Sequence, residues 1–78
     1  MTKNEYLESL GYIRKIETES MTYDYKKSFD NGIMIINIQL NDFMIEPDCI
    51  GTQKDIDRLQ IAFNNVKRDF EEMQKYED

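Results

Sequence analysis

The sequence predicts a small two-layer α+β domain, and three observations carry that expectation. Residues 12 to 45 alternate apolar and polar around an Asn31-Gly32 pair, the pattern of an antiparallel meander. Residues 56 to 73 carry apolar side chains at spacings of three and four, the pattern of an amphipathic helix. The chain has 78 residues, and a domain near that size buries only about 60% of its unfolded surface, so it holds one core. The greasy face of the sheet and the stripe of the helix must therefore cover each other.

The N-terminal element is a short helix. Thr2 and Glu5 match the capping box, Tyr6, Leu7 and Leu10 share a face, and Gly11 is a C-terminal stop. A helix of about two turns does not persist alone, so it must lean on the rest of the domain.

Four strands are expected next. With Asn31-Gly32 as a two-residue turn, Phe29 faces Met34, Lys27 faces Ile36, Tyr25 faces Ile38 and Tyr23 faces Leu40 on one side. Ser28 with Ile35, Lys26 with Asn37 and Asp24 with Gln39 fall on the other. A turn at Asn41-Asp42 pairs Leu40 with Phe43 and Ile38 with Ile45 on the apolar side. A turn at Thr18-Glu19 pairs Ile16 with Met21 and Tyr12 with Tyr25. Pro47 ends the last strand because it has no amide to donate. Cys49 and Ile50 lie in the connection that follows.

The last element is a long helix. Thr52 and Asp55 form a second, weaker capping box, and Ile56, Leu59, Phe63, Val66, Phe70 and Met73 form its stripe. Glu71 with Lys75 and Arg68 with Glu72 are i,i+4 pairs on its wet side. A helix over residues 53 to 76 runs about 36 Å, longer than strands of six to eight residues. Phe70, Met73 and Tyr76 therefore overhang the sheet and meet either the first helix or a second copy.

Composition narrows the function. The absence of His removes the commonest general base, and a single Cys excludes an intrachain disulfide and a zinc site of Cys/His type. The longest apolar run, Ile33 to Ile36, is far too short to span a bilayer, and the N-terminus opens no apolar signal core. No membrane association is expected. The chain reads as cytoplasmic with a reduced thiol at Cys49, which is expected to be a small buried hydrophobe. The three glycines are isolated, so no phosphate cradle is present.

Tyr23, Tyr25 and Phe29 beside Lys26 and Lys27 could form a stacking platform for single-stranded nucleic acid. Those aromatics belong to the core face, however, and 16 acidic against 10 basic residues give a net charge of −6 that opposes phosphate binding. No direct nucleic-acid binding is expected. Asp24, Asp30, Asp42, Glu46 and Asp48 could in principle pair for acid–base work, but they fall in turns, loops and strand ends. Asp55 and Asp57 suit a helix N-terminus. No enzyme, cofactor or metal site is expected.

Two features remain. Acidic residues gather along the strands and turns and again at the helix end, and a negative potential steers toward basic partners. Asp24, Asp30, Asp42 and Glu46, with Asp69, Glu71 and Glu72 on the helix, are the candidate contacts to a partner protein. Ile13, Ile33, Ile35 and Met44 fall on the second face of the sheet, and Ile61 lies off the helix stripe. A contiguous apolar group there would be an interface, so a homodimer through the sheet back or the helix end is the alternative.

The opening Glu5-Tyr6-Leu7-Glu8-Ser9-Leu10-Gly11-Tyr12, the Asn31-Gly32 meander and the capped C-terminal helix together resemble small acidic proteins encoded by phages and prophages of AT-rich bacteria. The resemblance lies in size, composition and layout, and it transfers no functional residue. It implies an accessory role exercised by binding a host protein, for instance as an inhibitor, and names no target.

Overall fold

Local sequence signals start both helices of the computed structural model, which describes residues 1–17 and 22–77. Helix α1 spans Lys3–Ser9, strands β1 to β4 span Ile13–Glu17, Thr22–Phe29, Gly32–Asn37 and Asp42–Pro47, and helix α2 spans Gln53–Met73. Both capping boxes form in full: the Thr2 hydroxyl accepts the Glu5 amide, the Thr52 hydroxyl accepts the Asp55 amide, and each carboxylate returns a bond to its cap amide. Gly11 leaves α1 at φ +96°, a conformation that favours glycine. The four strands pair antiparallel in sequential order. The α+β architecture is the one expected.

The registers differ from expectation by even numbers of residues. Tyr25 faces Ile36 and Lys27 faces Met34, two residues from the expected pairing, because Asp30-Asn31 form the turn and Gly32 is already in β3. Asp30 and Asn31 keep negative φ, so this is not the type I′ turn that Asn-Gly usually marks. Gly32 is needed for another reason. A Cβ there would run into the backbone of Glu46 and Pro47 on β4.

The β3–β4 connection is displaced further. Ile36 faces Phe43, residues 38 to 41 make the turn, and Asn41 adopts φ 54°. Asn37 builds that turn by accepting the Leu40 amide at 2.9 Å. Leu40 is thereby carried into solvent and off the apolar face. In the first hairpin Ile16 faces Tyr23 and Arg14 faces Tyr25, again two residues from expectation. The expected Thr18-Glu19 turn lies outside the described residues. Even displacements leave each side chain on its original face, so the two-sided character of the sheet survives all three.

One face of the sheet is covered. α2 lies over β3 and β4, and α1 bridges from α2 to β1. Leu7, Tyr12, Tyr25, Met34, Ile36, Ala62, Val66 and Met73 form the core. The stripe of α2 is rotated from its expected centre. Ala62, Val66, Asp69 and Met73 are deepest, while Ile56 is exposed and Phe63 sits at the margin against Phe43. The end of the helix meets α1: Tyr76 stacks on Tyr6 at 4.9 Å, and the Lys3 amide donates to the Glu77 carbonyl.

Candidate recognition surface

The uncovered face of the sheet is built from the alternate residues of every strand. Register sets them in rows. One row reads Ile13, Lys26, Ile35 and Met44 from β1 to β4. A second reads Lys15, Asp24, Asn37 and Asp42, and a third brings Ser28, Ile33 and Glu46 together. Ile13 is 61% exposed and Met44 53% exposed, while Ile35 between them is 6% exposed. It does not belong to the core cluster, and Lys26 and Met44 flank it in its row. Ile33, Ile35 and Met44 therefore adjoin on β3 and β4, Ile13 stands apart from them across Lys26, and the neighbouring rows carry Lys15, Asp24, Asp42 and Glu46.

The candidate acids do not converge on one point. Asp24 and Asp42 stand in the same row, two strands apart, with Asn37 between them. Asn37 is buried and donates from its amide to Asp24 at 2.9 Å and to the Thr22 hydroxyl at 3.1 Å. Glu46 borders the patch at its other end. Asp30 projects from the opposite hairpin turn and helps line a groove of about 280 Å³ between Phe29, Met34, Arg58, Ile61 and Asn65. Among the described residues, Asp24, Glu46 and Asp48 line neither this groove nor the two on the helix side and along α2.

The helix acids lie on the other layer, and one of them is corrected. Asp69 is buried, and the Tyr12 hydroxyl donates to its carboxylate at 2.8 Å. It cannot serve as an exposed partner contact. Burial, followed by this bond to Asp69, pushes the Tyr12 phenol far above its ordinary range. Glu71 is exposed, and Glu72 accepts Lys75 at 3.0 Å, so the ion pair runs i,i+3 in place of the expected Glu71–Lys75. Arg68 approaches Asp69 at 3.6 Å in place of Glu72. With Asn64 and Lys67, these side chains border a shallow mixed-charge groove. Cys49 is exposed, contrary to expectation, because the connection after Pro47 runs over the surface.

A groove of about 310 Å³ opens on the helix side, where α1, β1 and the end of β3 meet. Asn4, Arg14, Tyr23, Tyr25, Ile38 and Gln39 line it. The Arg14 guanidinium sits 4.9 Å over the Tyr23 ring. The Tyr25 hydroxyl donates to Asn4 Oδ1 at 2.7 Å, and the Tyr23 amide donates to Gln39 Oε1 at 3.3 Å. Burial raises the Tyr25 phenol, Arg14 draws it back down, and the field of Glu8 raises it again. Sequence reasoning passed over this groove, since its residues come from four separate segments.

No helix among the described residues is long and apolar enough to cross a membrane. No family model, curated protein or solved structure matches this chain.

Proposed function

We propose that this chain is a non-enzymatic protein-binding module that holds its partner on the helix-free face of the sheet. The supporting observation is the open group Ile33, Ile35 and Met44 on β3 and β4, extended through Lys26 to Ile13 on β1, with Asp24, Asp42 and Glu46 around it. An apolar centre with a charged rim is the usual anatomy of a protein interface. The acidic rim and the net charge of −6 favour a partner with a basic surface. The likeness to phage and prophage accessory proteins would make that partner a host protein and the module its inhibitor.

The test is capture from a bacterial host lysate by the tagged chain, repeated with Met44→Lys and with Glu46→Gln. The expected result is a partner lost with Met44→Lys, weakened by Glu46→Gln and weakened again at high salt, where surface charge is screened. A partner retained equally by all three chains would overturn the assignment of this face.

A second reading, self-association, is favoured by the rows themselves. Two such sheets stacked back to back about an axis parallel to their strands set β1 of one copy over β4 of the other. Lys15 then meets Asp42, and Ile13 meets Met44. Light scattering after size exclusion separates the readings. A monomer mass independent of concentration removes the homodimer.

A further inference from the structure

We propose that the groove between Asn4, Arg14, Tyr23 and Gln39 is an oxyanion-binding site, one that takes a carboxylate or a phosphoryl group. Its donors are oriented by hydrogen bonds to neighbouring groups. The Gln39 carbonyl oxygen accepts the Tyr23 backbone amide, a donor that cannot exchange roles, so its NH2 is the group left to the groove. The Asn4 carbonyl oxygen accepts the Tyr25 hydroxyl, which leaves the Asn4 NH2 in the same position. Arg14 is the only charged residue in the lining, and the described ion pairs, Arg68–Asp69 and Lys75–Glu72, do not involve it. Its guanidinium is held over the Tyr23 ring, which limits its rotamers before any ligand arrives.

The lining thus combines a fork of charged N–H groups, two amide donors, two tyrosine rings and the apolar body of Ile38. Among the described residues no carboxylate lines it, although the field of Glu8 reaches Tyr25, in a protein with six more acids than bases. A positive charge beside amide donors whose carbonyl oxygens are already engaged favours an anion, and a guanidinium matches the paired oxygens of a carboxylate or phosphate. The volume of about 310 Å³ falls at the low end of small-ligand sites. The site lies on the helix side of the sheet and stands apart from the protein-binding face.

The experiment is a ¹H–¹⁵N titration of the full chain with inorganic phosphate and, separately, with acetate, each against chloride at equal ionic strength. Saturable shifts of the Arg14 Nε–H and of the Asn4 and Gln39 NH2 signals are expected with at least one of the two, and none with chloride. Phosphate alone would mark a phosphoryl ligand, and acetate alone a free acid or chain end. Arg14→Gln should weaken binding by at least about tenfold, the worth of a charge-assisted bond. Gln39→Glu should weaken it as much, because it keeps the acceptor for the Tyr23 amide and replaces the donor with a repelling charge. Both variants alter exposed side chains, and an unchanged amide spectrum away from the groove checks the fold. Linear, chloride-like shifts with both anions, or saturable shifts that survive Gln39→Glu, would overturn the proposal.

Discussion

Ile35 and Ile36 are neighbours in one strand, both are inaccessible to water, and they are inaccessible for different reasons. Ile36 is 0% exposed and lies beneath α2 within the core. Ile35 is 6% exposed on the face away from the core cluster, with Lys26 and Met44 beside it in the sheet. A core position is enclosed by a second layer, and its loss leaves a cavity. A position shielded only within its own layer can be resolvated when it is cut back. The same burial therefore carries different energies, and the difference between the two faces is measurable.

The largest effect is expected at the covered face. Ile36→Ala should cost about 2–5 kcal/mol, which combines lost transfer energy with a cavity under the helix. Urea denaturation reads this directly, and small domains hold only about 5–15 kcal/mol in total, so the variant should sit near the edge of folding. Tyr12→Phe comes next. It deletes the hydroxyl that donates to the buried Asp69 and leaves that carboxylate with the desolvation cost of an unmade bond, roughly 1–3 kcal/mol. Ile35→Ala should cost less than Ile36→Ala, about 2 kcal/mol or under, because water replaces the lost contacts. An Ile35→Ala cost equal to that of Ile36→Ala, and rising with protein concentration, would mean that a second copy covers the open face.

A smaller effect separates the two ends of the domain by pH. Asp55 ties the head of α2 to the β2–β3 turn: it accepts from the Asn31 side chain at 2.8 Å and from the Gly51 and Thr52 amides at 3.0 Å. The bond from Asn31, then those from the two amides, lowers its pKa below the ordinary 3.8. A depressed folded pKa adds stability above the unfolded value and loses it as pH falls through the folded value. Asp55→Asn should therefore destabilise the protein at neutral pH and differ less from the parent in acid, as pH falls through the folded value. Equal destabilisation at both pH values would assign the effect to packing and not to charge.

The two faces were legible in the sequence, and the contacts that lock them were not. Alternation with period two fixes which side a residue takes, and each hairpin displacement was even, so Tyr25, Met34 and Ile36 reached the core through registers that differ from the expected ones. The turns misled because a local rule competes with a distant contact. Asn-Gly marks a turn, yet Gly32 is required where β4 crosses it, and that crossing is invisible in a local window. Asn37 and Asp69 were read as polar surface because a polar residue carries no sign of its partner. Their partners lie 13 to 57 residues away in the chain, at Asp24, Thr22 and Tyr12. Asp69 did leave one trace: it falls three residues after Val66 and four before Met73, inside the apolar stripe. The acids proposed as partner contacts were chosen by charge alone. Their scatter over both layers follows, since charge does not report direction.

The smallest expected change is in stability at Met44, and it is the sharpest comparison of the two faces. Met44 stands in the same row as Ile35 but is 53% exposed, at the edge strand. Met44→Lys should shift the unfolding free energy by no more than about 0.5 kcal/mol, as for other surface positions without a cap, cavity or buried partner. The same change replaces an apolar contact beside Ile35 with a hydrated cation, and desolvating it without a partner is costly. A variant that keeps the parent's urea midpoint and loses its captured partner separates recognition from folding. Equal loss of stability and binding would instead make the open face part of the core's support, and the functional assignment would pass to the helix side of the domain.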